Sequence, residues 1–201
     1  MKKYVSFALG AFGHDAFYNT LSLYFVMFVT SQLFTTNDAA FNTRMIGYVT
    51  LLMTVIRIAE IMFDPMIGGA VDNTKTKWGK FKPWLLAGTI VASLMLALIF
   101  TDFGGIAISK PLLYLVLFGI AFLTLDVFYS FSDIALWSML PALSMDSKER
   151  TKFGTFSRFG STLGAQSVII VIVPLVTLFS SWFGAKPVSY THLTLPTTER
   201  V

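Results

Sequence analysis

Met45–Val71, MIGYVTLLMTVIRIAEIMFDPMIGGAV, is the stretch whose reading decides the fold. It is apolar for longer than the roughly 20 residues that cross a 30 Å hydrocarbon core. Yet Arg57, Glu60 and Asp64 stand inside it. An ionised carboxylate in hydrocarbon costs at least about 2.5–3.5 kcal/mol, so such a group normally faces a polar interior and has a task there. Glu60 and Asp64 are spaced i,i+4 and stack on one helix face, with Arg57 three residues before Glu60 on the same side. Two adjacent carboxylates repel unless a cation or a proton lies between them. Oxygen ligands suit a hard cation such as Na⁺, and a protonated carboxyl does the same electrostatic work. The alternative reading is an Arg57–Glu60 ion pair that only holds a helix bundle together.

The rest of the chain fits that beginning. Of its 201 residues, 55% are hydrophobic and only 13% charged, about half the roughly 25% charged fraction of a soluble domain. Lipid is the solvent that suits this composition, and in lipid only helices or closed barrels satisfy the backbone. Long continuous apolar runs select helices. Five spans are expected, at about residues 4–30, 45–71, 83–101, 111–140 and 153–183, which makes this an all-α membrane protein. The N-terminal run is read as a retained span, because His14 and Asp15 interrupt what would be the apolar core of a signal peptide. There is no cysteine, which excludes disulfides and thiolate metal sites.

Charge sets the expected orientation. Lys2 and Lys3 precede the first span; Lys75, Lys77, Lys80 and Lys82 lie between the second and third; Lys148, Arg150 and Lys152 lie between the fourth and fifth. The opposite side carries only Arg44, Lys110 and Lys186. The positive-inside rule places the N-terminus in the cytoplasm. Asp72, Lys77, Lys80, Lys82 and Arg150 are the candidate gating or topology residues. The net charge of +4 reflects these loops and implies no nucleic acid.

Residues 188–201 differ from everything before them. The run from Val188 to Thr197 is polar and turn-prone, and resembles the translation of a transposase sequencing adapter. The expectation is that residues 1–187 form the native segment and that the tail, His192 included, carries no function.

Asp15, Glu60, Asp64 and Asp133 lie on three different spans, roughly 10–17 Å from the cytoplasmic face at 1.5 Å per residue. Arg158 reaches a similar level from a fourth. With Arg57 counted, this layer is left net negative, which favours a cation site over a self-neutralised structural network. On the fourth span Asp126, Tyr129, Ser130, Asp133 and Trp137 form one expected polar stripe. A carboxylate beside Trp and Tyr suits a sugar: the acid accepts hydrogen bonds from hydroxyls and the ring packs on the apolar face of the pyranose. Asp126, one to two turns further out, is expected to line an outer vestibule or to be neutral. His14 is either a proton-linked group or a hydrogen-bonded lining residue.

Several motifs occur in a telling order. They are Gly10-Ala11-Phe12-Gly13-His14-Asp15; Arg57-Ile58-x-Glu60-x-x-Phe63-Asp64-Pro65-Met66-Ile67-Gly68; Lys77-Trp78-Gly79-Lys80-Phe81-Lys82-Pro83-Trp84; Asp133-Ile134-Ala135-Leu136-Trp137-Ser138-x-Leu140-Pro141; and Asp146-x-Lys148-Glu149-Arg150 followed by Arg158-Phe159. Over about residues 4–184 the chain resembles the glycoside–pentoside–hexuronide cation symporters of the major facilitator superfamily, the melibiose-permease group. The resemblance implies a twelve-helix carrier built from two halves, each of inverted three-helix repeats, of which this chain holds five helices of the N-terminal half. It implies that Asp15 and Asp133 bind sugar hydroxyls, Trp137 stacks on the ring and Arg158 supports the sugar. Tyr129 and Ser130 match positions lining the sugar and cation sites. Glu60 and Asp64 match the cation-binding acids, a metal site only if the ion is Na⁺. The chain departs from the melibiose permeases in having Glu60 for Asp, His14 for Lys, Phe63 for Asn and Asp126 for Gly.

The expected function is cation-coupled symport, by Na⁺ or H⁺, of a sugar or glycoside, with no other cofactor. The expected partners are the bilayer and the second half of the carrier. The alternatives are a carrier for a sulfonated sugar, uronide or lysolipid on the same fold, or a non-transporting membrane interaction protein. No metal cluster, Ser–His–acid arrangement or phosphate loop points to an enzyme.

Overall fold

Asp38, Pro83 and Pro111 start three of the long helices. The Asp38 carboxylate accepts hydrogen bonds from the amides of Ala40 and Phe41, at 2.9 and 3.1 Å, which satisfies two of the free donors at a helix start. The two prolines occupy first turns, where a missing N–H costs nothing. The computed structural model describes residues 1–34, 36–101 and 105–182, and all their regular structure is helical. The elements are α1 (Lys2–Asn19), a π-helical turn (Thr20–Tyr24), α2 (Phe25–Phe28), a second π-helical turn (Val29–Leu33), α3 (Ala39–Asn73), α4 (Lys82–Ile99), α5 (Ile106–Ser109), α6 (Pro111–Ala142) and α7 (Ser147–Trp182).

Among the described residues α3, α4 and α6 are long and apolar enough to cross a membrane. Their bounds lie within a few residues of the second, third and fourth expected spans. The path from Lys2 to Leu33 and helix α7 occupy the other two positions. Residue 183, Lys186 and the tail at 188–201 lie outside the described residues.

The first span differs from the single regular helix expected. Leu21, Phe25, Val29 and Leu33 are all buried, a strict repeat of four. In an α-helix a four-residue step overshoots a full turn by roughly 40°, so such a row drifts away from its partner surface. The wider π turns absorb the drift and keep all four side chains inward.

These residues enter an aromatic core with Met45, Val49, Phe118 and Phe122. Phe25 stacks on Phe118 with ring centroids 5.3 Å apart and meets Phe100 edge-on at 5.8 Å. This core fills one end of the bundle. A smaller cluster of Phe7, Leu136 and Phe153 closes the other.

Two helix pairs approach closely. A Cβ on Gly88 of α4 would strike the Phe128 carbonyl and Ser132 of α6. Cβ atoms on Gly160 and Gly164 of α7 would run into the carbonyl oxygens of Ala8 and Phe12 on α1. Small residues four apart let backbones meet in this way inside membranes.

The α3–α4 connection is a clasp. Lys80 Nζ lies 2.7 Å from Asp72 Oδ1, and Trp84 Nε1 donates to Thr74 Oγ1 at 2.7 Å while its ring stacks on Phe131. Gly79 takes φ 95°, a left-handed turn conformation that disfavours any side chain. Lys77, Lys82 and Arg150 are exposed. At the same end Glu149 accepts hydrogen bonds from Ser144 Oγ at 2.6 Å and Tyr4 Oη at 3.2 Å, tying the α6–α7 loop to α1. These bonds, Ser144's first, hold the Glu149 carboxyl below the usual glutamate range.

Candidate functional site: two charge clusters on the flanks of α6

Helix α6 carries Asp126 and Ser130 one turn apart, and Tyr129, Asp133 and Trp137 at successive four-residue steps. Neighbouring residues on a helix are turned by about 100° from each other. The expected single stripe is therefore two, and each meets different partners.

The first stripe faces α3. Arg57 Nη1 lies 2.9 Å from Glu60 Oε2 and 2.8 Å from Asp126 Oδ1, so one guanidinium serves two carboxylates. Ser130 Oγ donates to Glu60 Oε1 at 3.1 Å. The guanidinium carbon sits 5.8 Å from the ring centroids of both Tyr18 and Phe122. The space left between Glu60, Phe63, Asp126 and Ser130 has no room for a water molecule. Asp126 is 2% exposed. This corrects the expectation that it lines an outer vestibule: it is a buried member of the charge cluster, drawn there by Arg57. The Arg57–Glu60 pair raised as the alternative reading of the α3 strip is present, and Asp126 shares its cation.

Asp64 stands apart from that pair. Its Oδ1 is buried with no hydrogen-bond partner among the described residues. Glu60 and Asp64 thus differ: Glu60 is engaged through both oxygens, whereas Asp64 keeps an acceptor unused. Among the described residues no group of three or more His, Cys, Asp or Glu side chains is arranged to hold a metal ion.

The second stripe faces α1 and α7, and here the five expected sugar-site residues are joined. Trp137 Nε1 donates to Asp133 Oδ1 at 2.9 Å. The guanidinium carbon of Arg158 lies 5.5 Å from the Trp137 ring centroid. Asp15 and Asp133 meet through His14, whose Nδ1 is 3.3 Å from Asp15 Oδ1 and whose Nε2 is 3.5 Å from Asp133 Oδ1. Tyr129 stacks on the imidazole, with its hydroxyl 3.2 Å from Nδ1. Ser161 on α7 donates to Asp15 Oδ2. The Asp15 and Asp133 side chains remain 29% and 41% exposed.

Two members of this cluster were not singled out as ligands by sequence. Ser161 is one; the signal that could have found it is the Gly160–Gly164 spacing, which brings that face of α7 against α1. His14 is the other, lying at the junction of the two acids.

Beside His14 and Tyr129 lies a cavity of about 340 Å³ between α1, α4 and α6, with Thr89 and Ser132 on its wall. Apart from these hydroxyls and the imidazole its lining is largely apolar.

Residues 6–198 match the family model described as MFS/sugar transport protein. The chain is 54% identical over 177 residues to a lactose permease of Lactobacillus delbrueckii subsp. bulgaricus, an alignment covering 88% of this chain and 28% of that protein. It is 47% identical over 175 residues to a raffinose carrier protein of Pediococcus pentosaceus, covering 87% of this chain and 27% of the relative. It is 28% identical over 184 residues to an uncharacterized symporter of Bacillus subtilis, covering 90% and 37%. The chain therefore spans less than a third of the length of the two relatives most similar among these.

Proposed function

The chain belongs to the MFS/sugar transport protein family, and from that premise we propose that it forms part of the N-terminal half of a carrier that moves a sugar or glycoside together with Na⁺ or H⁺ across a bacterial cytoplasmic membrane. The observation that carries the proposal is the open flank of α6. There two partly exposed carboxylates, an indole and a guanidinium converge from α1, α6 and α7.

Asp15 and Asp133 accept hydrogen bonds from paired sugar hydroxyls through the oxygens that face the opening. Trp137 lies under the apolar face of the ring, its indole fixed by its bond to Asp133. Arg158 covers the indole and donates to further hydroxyls. Tyr129 fixes the wall behind the two acids. A disaccharide or small oligosaccharide is the substrate class we infer, since lactose and raffinose are the sugars named for two relatives.

The closed flank supplies the coupling ion site. Glu60 and Asp64 take the cation, with Ser130 orienting Glu60. The unused Asp64 oxygen supports this role, since a buried carboxylate without a donor is stabilised by a bound proton or cation. Lys80 and Asp72, paired at the α3–α4 clasp, belong to the cytoplasmic gate, with Lys77, Lys82 and Arg150 close by in the basic loops.

The test is uphill transport. Membrane vesicles holding the complete carrier are loaded with an inward Na⁺ or proton gradient and supplied with labelled lactose. Lactose accumulates above its external concentration with one of the two gradients and leaks out when an ionophore collapses it. Entry that only equilibrates under both gradients overturns the coupled reading.

A further inference from the structure

His14 stands where three groups compete for two ring nitrogens. Nδ1 has two neighbours at nearly equal distance: the Asp15 carboxylate at 3.3 Å and the Tyr129 hydroxyl at 3.2 Å. They make opposite demands. A carboxylate oxygen only accepts, so it needs a proton on Nδ1, whereas the tyrosine O–H can donate to a bare Nδ1. On the other edge Nε2 is buried and faces Asp133 Oδ1 at 3.5 Å, an ionic distance without a formed hydrogen bond.

A neutral imidazole carries one N–H and cannot serve both acids. With that proton on Nε2 it faces Asp133, accepts from Tyr129, and leaves Asp15 to Ser161 alone. An imidazolium carries two. It donates to Asp15 and Asp133 at once and releases the tyrosine hydroxyl. One added proton thus changes which of the two sugar-site acids are tied together.

We propose that His14 is a positioning residue whose protonation bridges Asp15 and Asp133 and sets the carrier's affinity for sugar. The inference rests on the sugar-site reading above. The bridged state offsets one of two like charges at the opening and fixes both carboxylates, so their remaining lone pairs meet sugar hydroxyls in a prepared geometry. By linkage, sugar binding then favours the protonated ring by the same factor that the proton favours sugar.

Other charged and titratable groups surround the ring. From α1 they are Asp15 and Tyr18, and from α6 Tyr129 and Asp133. On α3, Arg57 lies over Tyr18, and Asp64 follows Glu60 one turn along that helix. On α7, Arg158 acts across Trp137. Across the cavity α4 presents hydroxyls, Thr89 and Ser93.

The experiment measures lactose affinity of the complete carrier in proteoliposomes from about pH 5 to 8, for the wild type, His14→Gln and His14→Lys. The wild type is expected to bind at least about fivefold more tightly at the acidic end. His14→Gln keeps hydrogen-bonding capacity without the charge, so it binds at the weaker level with no step. His14→Lys carries a permanent charge and stays at or near the acidic-end affinity across the range. A step preserved in His14→Gln overturns the proposal. So does loss of lactose binding at every pH in both folded variants, which makes the ring a packing element. A wild type that binds lactose without a step sinks this inference alone, whereas one that binds no lactose at any pH sinks the sugar site with it.

Discussion

The two flanks of α6 handle buried charge in opposite ways. Toward α3, Glu60 and Asp126 share Arg57, Ser130 bonds to Glu60, and no water fits between them. Toward α1 and α7, the Asp15 and Asp133 side chains stay partly exposed and are joined by a histidine that cannot satisfy both while neutral. The first arrangement stabilises itself at the expense of access. The second holds polar groups ready for a ligand that brings its own donors. Residues one and three apart on one helix are divided between the two by the helical rotation alone, while those four apart share a flank.

The difference is broken most severely from the closed side. Arg57→Ala leaves Glu60 and Asp126 buried without their shared cation, and removing one partner of a buried pair costs about 3–5 kcal/mol. Thermal unfolding of the purified carrier in detergent is expected to shift sharply downward. A melting temperature equal to wild type would show that the two acids are already protonated or hydrated.

Asp133→Asn probes the open side. The shape is retained while charge and one acceptor are lost, which leaves sugar hydroxyls poorly paired at about 1–3 kcal/mol. Lactose affinity measured by equilibrium binding falls tenfold or more, and the melting temperature stays near wild type. The opposite pattern, stability lost and affinity kept, would exchange the roles assigned to the two flanks.

The open flank also depends on how closely α7 approaches α1. Gly164→Leu forces a side chain into the Phe12 carbonyl, an overpacking that costs about 1–3 kcal/mol. Separation of these helices draws Ser161 away from Asp15, so lactose affinity and melting temperature fall together. Affinity unchanged beside a lowered melting temperature would remove Ser161 from the site.

The smallest effect lies at the end of the bundle that carries the α6–α7 loop. Ser144 and Tyr4 lower the Glu149 pKa in the folded protein. A depressed carboxylate contributes stability that is present above its unfolded value, about 4.3, and is lost as pH falls through the lower folded value. Below that range the Tyr4–Glu149 tie weakens, and amide exchange at the start of α1 quickens. Glu149→Gln shows the quicker exchange at neutral pH and loses the acid-range change. Identical exchange in both proteins across the range would remove this tie from the account.

Much of this was legible in the sequence. Apolar length gave expected spans that overlap α3, α4 and α6, because the bilayer sets the length, but not the start of α3 at Ala39, capped by Asp38 ahead of the apolar run expected from about Met45. An expected common depth for the acids followed from the rise per residue. Rotation did not, because a stripe at spacings of three, one and four admits two faces. Asp126 was consequently left between lining a vestibule and being neutral, whereas Arg57, one helix away, draws it inward. The π turns were also missed: the four-residue repeat of Leu21, Phe25, Val29 and Leu33 looks like any apolar run until its drift is counted. His14 was noticed, but its place between two acids required knowing which face of α1 meets α6.

The central claim is that the cation site on α3 acts on the sugar site across α6. It is tested most directly by lactose affinity of the complete carrier, measured with and without Na⁺ and across pH, in the wild type and in Asp64→Asn. The account predicts that Na⁺ or protons tighten lactose binding in the wild type, and that Asp64→Asn binds lactose and keeps the pH step carried by His14 but loses the rest of the cation response and all uphill accumulation, since coupling is reciprocal. Full cation stimulation and full accumulation in Asp64→Asn would contradict it.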